Sequence, residues 1–398
     1  MPGLQVACAC SDGRSGAQRC LADGVFDRCE CTGPTPTMDS GVDAAVAFDA
    51  GATTDVASAD ASRDVNLSEG GPSVTLTSGS DRIVDAFVIE AGIIIVRPTL
   101  VVIVNRAGAV LRSWMAPREI TAAAFDGTWL AVADRAMLNV FDTSLAMMSS
   151  TTLREPCVTA AILPGLRFVC GPAGDWDRTF GVHQLPSGAA LAASGRFTYE
   201  GTPMRRVPGR DDFTTVTTNL SPSDFYLKRL MPDNSIVSFR DSPYHGDFPV
   251  TNVYAFIGDP ATHVVTHEGI LLQIYAPTCR GSTPPGTGAC FIRDGNLGTL
   301  STGQTFVGMT EISATQLVGI TAMAAGFPPD SLCGAGCAIQ RIDANTRTIL
   351  SSGTLAAPSV QAISVVRYDR WTDRALVAYS LGRRFDPPTG YNVELLSF

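Results

Sequence analysis

Short apolar segments separated by turn residues run through the chain from residue 73 to residue 398. The pattern is clearest over residues 120–145, where two apolar segments are joined by Asp126-Gly127 and a third follows almost at once. Segments of about five to eight residues that are rich in Val and Ile and closed by turn residues predict β-strands. The first unit shows them in succession as IVDAFVIEAG, GIIIVRP, LVVIVNRAG and AVLRSW. We therefore predict an all-β chain built from repeated four-stranded units.

The leading strand of each unit recurs at a nearly regular spacing. We place the unit starts at Asp85, Ile120, Cys157, Met204, Asn252, Phe306 and Ala362, which gives intervals of 35, 37, 47, 48, 54 and 56 residues. Blades of a β-propeller have four strands and occupy roughly 40 to 50 residues. The spacing predicts a seven-bladed β-propeller over residues 73–398. Six or eight blades remain open because residues 196–251 divide less clearly, and two packed domains or a β-sandwich with a barrel are the structural alternatives.

The last unit lacks a fourth strand of its own. After Ala362 it contains AISVVRYD, RALVAYS and YNVELLSF, and then the sequence ends. Residues 73–77, SVTLT, form a predicted strand without a partner in the first unit. Pairing the two would complete the blade and remove an exposed edge. We therefore predict that an N-terminal strand closes the ring.

Composition fits a turn-rich all-β protein and narrows the class of partner. Hydrophobic residues make up 45% of the chain and charged residues 17%, with 38 Gly and 25 Pro. The formal net charge of -9 would repel nucleic acid and an anionic membrane surface at long range. We therefore expect neither as a partner.

The 11 cysteines indicate the compartment. Six fall in close sequential pairs that suit local disulfides: Cys157 with Cys170, Cys279 with Cys290, and Cys333 with Cys337. Disulfides persist in oxidising compartments, which predicts a periplasmic, outer-membrane-surface or secreted protein. Only seven residues precede Cys8, too few for an export signal. We therefore expect a longer form that carries the signal and a further cysteine.

The other five cysteines lie in residues 1–32, at Cys8, Cys10, Cys20, Cys29 and Cys31. A core of this size does not support folding alone, so the spacing favours a disulfide module. Zinc is the alternative, although zinc sites favour two to four residues between paired cysteines. Residues 1 to about 70 resemble the small cysteine module and Asp/Ala-rich tether at the start of many exported lipoproteins of myxobacteria and related δ-proteobacteria. The resemblance implies a lipid-bearing cysteine upstream, and membrane contact only through that anchor, because Cys8 follows Gln5-Val6-Ala7 without the lipobox leucine.

Residues 33–72 are rich in Ala, Gly, Ser and Thr, with regularly spaced aspartates at Asp39, Asp43, Asp49, Asp55, Asp60 and Asp64. Such a segment buries too little apolar surface to offset its ordering entropy, which predicts a disordered linker. At random-coil scaling its root-mean-square reach is roughly 35 Å. Calcium is the one cofactor this segment suggests, but the Asp-x-Asp-x-Asp-Gly loops of calcium sites are missing from it. We therefore predict no cofactor and keep calcium as the alternative.

The histidines do not form a recognisable catalytic or metal-binding set. His263 and His267 lie four residues apart in a predicted strand, which separates them by roughly 13 Å and prevents chelation of one ion. We expect both at the surface or a blade edge. His245, beside Tyr244 in the loop DSPYHGDF, is a candidate ligand contact because loops on a rigid scaffold often carry function. Ordinary solvent exposure is the alternative.

The tryptophans of interest occur in two kinds of sequence context. Trp176 lies between Asp175 and Asp177 in a predicted loop and is the candidate anchor for a partner. Trp129 and Trp371 occupy similar positions in two units. Repeat-equivalent aromatics favour packing between blades over a sugar-stacking role, so we expect both in the core.

The sequence favours a non-catalytic binding module for a cell-envelope polymer or a surface protein, displayed outside the cytoplasm. No Gly-x-Ser-x-Gly, His-Glu-x-x-His or phosphate-binding loop occurs in it. The first alternative is a propeller enzyme, of the lactonase, lyase, glycosidase or quinone-dependent dehydrogenase type, with acidic or histidine side chains converging on the central channel. The second is a structural surface component with an apolar patch for self-association.

Overall fold

The computed structural model describes residues 5–9, 15–19 and 73–398, with gaps at 155, 173–179, 194–203, 211–213, 219–224, 240–253, 276–289, 299, 301–303, 324–331, 334–336, 358 and 384–385. The chain divides into two units, residues 1–65 and 66–398. In the first unit, β1 (Gln5–Ala9) pairs with β2 (Ser15–Arg19) in an antiparallel hairpin. The predicted linker 33–72 and the cysteine pairing within residues 1–32 lie outside the described residues, so these domain boundaries stay predictions.

In the described part of the second unit, seven sheets each hold four antiparallel strands. In six of them the strands follow one another along the chain, and in order they are β4 (Asp85–Ile89), β5 (Gly92–Val96), β6 (Leu100–Val104) and β7 (Val110–Met115); β8 (Ile120–Phe125), β9 (Leu130–Asp134), β10 (Met137–Phe141) and β11 (Met147–Thr152); β12 (Cys157–Leu163), β13 (Arg167–Pro172), β14 (Gly181–Gln184) and β15 (Ala189–Leu191); β16 (Met204–Arg206), β17 (Thr215–Thr218), β18 (Phe225–Leu230) and β19 (Ile236–Phe239); β20 (Ala255–Gly258), β21 (Ala261–Val265), β22 (Ile270–Tyr275) and β23 (Cys290–Asn296); and β24 (Gln304–Glu311), β25 (Gln316–Met323), β26 (Cys337–Asp343) and β27 (Thr348–Leu355). None of the described residues forms a helix long and apolar enough to cross a membrane.

The remaining sheet joins the two ends of the second unit. It has the order β28 (Val360–Asp369), β29 (Arg374–Leu381), β30 (Gly390–Leu396) and β3 (Val74–Gly79). Val74 lies opposite Leu395, and Thr77 lies opposite Val393. The predicted closure by residues 73–77 is therefore confirmed.

The repeat starts read from the sequence agree closely with these sheets. Four of the predicted starts coincide with the first residues of β4, β8, β12 and β16, and the others fall within three residues of β20, β24 and β28. The agreement arises because most units begin with an apolar strand directly after a polar connection. Seven blades for the whole ring stays a proposal that these sheets support.

The core lies between successive sheets. Every residue of β5 and of β9 is buried, which explains their nearly continuous apolar sequences. Ile94 of β5 and Val132 of β9 belong to one hydrophobic cluster, so the first two sheets pack face to face. The outer strands β7 and β11 are mostly exposed. In these two sheets the buried strands therefore come first, and the exposed fourth strand lies at the edge.

Candidate functional site

The residues predicted to contact a partner lie in two segments outside the described residues. Asp175, Trp176 and Asp177 lie outside the described residues, and so do Tyr244 and His245. Their role in binding stays a prediction.

Two of the predicted disulfides are present. Cys157 at the start of β12 is bonded to Cys170 of the neighbouring β13, and Cys333 is bonded to Cys337 at the start of β26. Both pairs are buried. The local pairing read from the sequence is confirmed for these two, while the Cys279 to Cys290 pair stays a prediction because Cys279 lies outside the described residues.

First strands from six of the seven sheets line a cavity of about 260 Å³ at the centre of the second unit. They are β4, β8, β12, β16, β24 and β28. A common cavity surrounded by first strands is the geometry of a propeller channel. If the protein were an enzyme, its acidic or histidine side chains would be expected in this channel.

β-Bulges shape the cavity wall. The pairing register shifts by one residue around Thr121, Val158, Val307 and Ser364, and each of these residues lines the cavity. A bulge leaves one residue out of the ladder and re-aims its side chain. The hydroxyl of Thr121, for example, donates a hydrogen bond to the carbonyl oxygen of Cys157 and so links two neighbouring first strands.

A loosely bonded ion pair faces the cavity. Nη2 of Arg367 on β28 donates to Oδ1 of Asp85 on β4 at 3.3 Å, and both side chains are partly exposed, at 35% and 21%. Oδ1 also accepts the backbone N–H of Ala86 at 2.8 Å. Burial raises the pKa of Asp85 above its ordinary value, and the positive charge of Arg367 opposes that shift.

A second ion pair is tightly bonded. Nη2 of Arg205 on β16 donates to Oε2 of Glu311 on β24 at 2.7 Å, and Oε1 of Glu311 accepts the backbone N–H of Phe256 at 2.7 Å. The guanidinium group of Arg205 also donates to the carbonyl oxygen of Tyr254 and lies 5.2 Å from the centre of its ring. Arg205 therefore fastens β16, β20 and β24 to one another.

The described cavity lining offers little for acid–base catalysis. Asp85 is the one carboxylate among these lining residues, and they include no histidine. A glycosidase needs two carboxyl groups on either side of the scissile bond. Among the described residues, no group of three or more His, Cys, Asp or Glu side chains is arranged to hold a metal ion.

Trp371 forms an exposed aromatic surface on the turn between β28 and β29. Its side chain is 41% exposed, so the prediction that it packs in the core is wrong. The Cζ atoms of Arg370 and Arg106 lie 4.4 Å and 4.8 Å from the centre of its ring. We refer to Trp371, Arg370 and Arg106 as the Trp371 surface.

The Trp371 surface rests on a buried carboxylate. Asp369 is fully buried and accepts hydrogen bonds from the backbone N–H of Trp371 at 3.1 Å and from the hydroxyl of Thr372 at 2.7 Å. Arg106 donates to it through Nε at 2.7 Å and through Nη2 at 3.1 Å. Such charge-assisted, bidentate bonds fix both partners in one geometry. The exposed ring is therefore held rigidly.

A second network supports the same hairpin. The hydroxyl of Tyr368 donates to Oδ1 of Asp373 at 2.7 Å, and Arg341 of β26 donates to both carboxylate oxygens of Asp373 at 3.1 Å. Burial and the bond to the Asp373 carboxylate raise the pKa of Tyr368 to about 12. The tyrosine therefore stays neutral and keeps donating across the physiological range.

Trp129 follows the sequence prediction. It is partly buried against the cluster between the second and third sheets. Its backbone N–H bonds the Asp126 carboxylate at 2.8 Å, as that of Trp371 bonds Asp369. Trp129 lies three residues after its aspartate, whereas Trp371 lies two residues after its own. Because a shift of one residue in a hairpin moves a side chain to the other face, this difference accounts for the different exposure of the two rings.

Of the described histidines, one is partly exposed and two are buried. Nε2 of His263 lies 3.2 Å from Oδ2 of Asp294, whereas His267 is buried, so the surface prediction is wrong for His267. His183 is also buried, and its Nδ1 lies 3.0 Å from the carbonyl oxygen of Gly188. Because a carbonyl only accepts, the Nδ1 atom carries the proton. Burial lowers the pKa of both His183 and His267.

The outer strands of the first two sheets expose large apolar side chains: Val110, Leu111 and Met115 on β7, and Met147 and Met148 on β11. Outer strands leave one row of backbone groups without a partner strand in their sheet. This apolar outer edge is the feature that the structural alternative requires.

Sequence reasoning missed the charged residues of the cavity. Asp85 and Arg367 lie in largely apolar stretches, IVDAFVI and SVVRYD, whereas Arg205 lies in the short strand MRR. A charge in the strand that begins a repeat is the signal that would have found them. Their pairing was not accessible, because 282 residues separate Asp85 from Arg367.

No protein-family model and no curated protein matches this sequence. Among solved structures, the chain is similar to the β-propeller domain of Cps50 (Swd1) from Myceliophteria thermophila, with a TM-score of 0.50 and 10% identity over 82% of this chain and 100% of that one. It is also similar to BamB from Moraxella catarrhalis, with a TM-score of 0.42 and 11% identity over 81% of this chain and 98% of that one. The sheet order, the central cavity and the likeness to the Swd1 domain together assign the described part of residues 73–398 to the β-propeller fold, as the sequence predicts.

Proposed function

We propose that the protein is a non-catalytic binding module that acts outside the cytoplasm. The compartment is supported by the buried Cys157–Cys170 and Cys333–Cys337 disulfides, because such bonds persist in oxidising environments. Residues 33–72 serve as a flexible acidic tether that displays residues 73–398 at the cell surface. The partner is a cell-envelope polymer or a surface protein.

The observation that carries the binding role is the Trp371 surface. Tryptophan and arginine are enriched among the residues that dominate binding energy, and rigid presentation reduces the ordering cost of association. Trp371 is exposed, yet its backbone is fixed by Asp369 and its ring lies beside two guanidinium groups. A large, rigid aromatic group of this kind contributes little to the core and is well placed to anchor a partner.

Equilibrium binding of the purified, oxidised protein to isolated peptidoglycan, lipopolysaccharide and outer-membrane proteins tests the proposal. We expect binding to at least one fraction, and Trp371→Ala should weaken it by about 30-fold or more, the effect of a binding hot spot. Met115→Ala is the matched control because it also removes an exposed apolar side chain, on the outer strand β7. Failure of every fraction to bind would contradict the binding role, and equal binding by Trp371→Ala would exclude the Trp371 surface.

A structural role is the second candidate, and the apolar outer edge on β7 and β11 favours it. Exposed apolar side chains on neighbouring outer strands promote association between copies. Analytical ultracentrifugation of the wild type and of Leu111→Ser distinguishes the two roles. Dimers or larger assemblies that dissociate in the variant would support self-association, and a concentration-independent monomer would exclude it.

A further inference from the structure

The central cavity has a chemistry of its own, separate from the Trp371 surface. Its volume of about 260 Å³ lies below the range of about 300–1,000 Å³ that holds drug-sized ligands. Its wall combines apolar residues such as Val158 with the charged groups of Asp85, Arg205 and Arg367. The cavity is therefore sized for a small molecule and built to contact charge.

The Asp85–Arg367 pair retains unused bonding capacity. Both hydrogen bonds of the Asp85 carboxylate are accepted by Oδ1, so Oδ2 has no hydrogen-bond partner among the described residues. Arg367 makes bonds of 3.3 Å to Asp85 and 3.4 Å to the carbonyl oxygen of Val366, both near the long limit of a hydrogen bond. A guanidinium group has five donors, so most of those of Arg367 are unengaged in the described structure.

The other pair does not share this property. Both oxygens of Glu311 accept bonds of 2.7 Å, one from Arg205 and one from the backbone of Phe256. Arg205 is also bonded to the carbonyl oxygen of Tyr254. This pair is a fixed part of the wall, and the Asp85–Arg367 pair is the side at which a ligand finds an open acceptor beside open donors.

The signs of the charges select the ligand. A simple anion at Arg367 would be repelled by Asp85 at close range, and a simple cation at Asp85 would be repelled by Arg367. A molecule that carries both charges a few bonds apart satisfies both groups. We infer that the cavity binds a small zwitterion of the α-amino acid type, with its carboxylate on Arg367 and its ammonium group on Oδ2 of Asp85.

Thermal unfolding of the wild-type protein with a set of small probes tests the inference without any mutation. The zwitterionic probes are glycine, L-alanine and L-glutamine, which span a range of sizes, and the single-charge probes are acetate and ethylammonium at matched ionic strength. We expect at least one amino acid to raise the Tm, since a ligand that binds only the folded state stabilises it. Neither acetate nor ethylammonium should do so. No shift with any of the three amino acids, or an equal shift with a single-charge probe, would overturn the inference.

Variants then place the ligand. Arg367→Gln and Asp85→Asn should each weaken the affinity measured by calorimetry by about tenfold or more, because each removes a charge-assisted bond. Arg82→Gln is the matched control, since Arg82 pairs with Glu119 at 3.2 Å in an exposed position outside the cavity lining. Val158→Phe is a third variant, for use if either charge variant fails to fold. It adds a ring at a bulge in the cavity wall and should abolish binding. Unchanged affinity in the folded variants would show that the ligand binds elsewhere and would contradict the assignment.

Discussion

Leu76 tests whether the strand β3 is an integral part of the β-propeller. Leu76 is only 5% exposed and packs in a cluster with Val393 and Leu395 of the neighbouring β30. Replacing it with alanine removes nearly all of a buried leucine side chain, and such substitutions cost about 2–5 kcal/mol. Leu76→Ala should therefore destabilise residues 66–398 by that amount, although Leu76 lies more than 300 residues from its partners.

The corresponding shift in Tm follows from the size of the unit. A unit spanning residues 66–398 has an unfolding entropy of about 0.7 kcal/mol per degree, which converts the loss into a decrease of about 3–7 °C. Calorimetry measures this shift directly. Leu111→Ala is the matched control, because the same substitution at a side chain that is 48% exposed should change stability by less than about 0.5 kcal/mol.

Hydrogen exchange locates the effect. The amides of β30 should lose the most protection in Leu76→Ala, because local opening of the last sheet adds to the global loss of stability. The amides of the fully buried β9 should exchange faster only by the factor that corresponds to the global loss. Equal stability of Leu76→Ala and Leu111→Ala would refute the closure, because β3 would then contribute no buried contact to the last sheet.

Three further predictions concern packing, covalent structure and pH. Gly308→Ala would place a Cβ atom 2.5 Å from Cγ2 of Val366, so urea unfolding should show a decrease of about 1–3 kcal/mol in the free energy of unfolding. Adding Val366→Ala in the same chain should partly restore it, and an unchanged midpoint in Gly308→Ala would contradict the packing of β24 on β28. The double variant Cys157→Ser, Cys170→Ser loses a disulfide that spans 13 residues, and its free energy of unfolding should fall by about 3 kcal/mol. Labelling of these two cysteines by a thiol reagent in the unfolded, unreduced wild type would contradict the disulfide. Burial lowers the pKa of folded His183 below 6.5, so the unfolded state binds more protons as the pH falls, and stability should decrease as the pH is lowered from about 7. His183→Asn should show a smaller decrease, and an equal decrease would contradict a neutral, buried imidazole.

The sequence predicts the sheets well because their signals are local. Asp126-Gly127 marks a turn between two apolar strands, and similar turns mark strand ends in each unit, so the starts of β4, β8, β12 and β16 follow directly. Closure by β3 also follows, because a strand without a partner and a unit with a missing strand require each other. These inferences need only the order of the elements.

Side-chain exposure and long-range pairing are beyond such signals. The similar sequences around Trp129 and Trp371 suggest equal burial, yet one extra residue after Asp126 places Trp129 between sheets, while Trp371 is exposed. Likewise, the isolated charges at Asp85 and Arg367 become a pair only because the ring brings β4 beside β28. Sequence periodicity identifies the strands, and the closed ring decides which of their side chains meet.

Hydroxyl-radical footprinting with and without an envelope fraction that binds is the most direct test of the proposed binding role. Radicals oxidise exposed tryptophan and methionine, so Trp371 reports on its own surface, and Met115 and Met147 report on the apolar outer edge. The proposed function predicts that Trp371 is oxidised in the free protein and protected in the complex, while the two methionines react at unchanged rates. Protection of the methionines with full reactivity of Trp371 would contradict it and would assign binding to the outer edge.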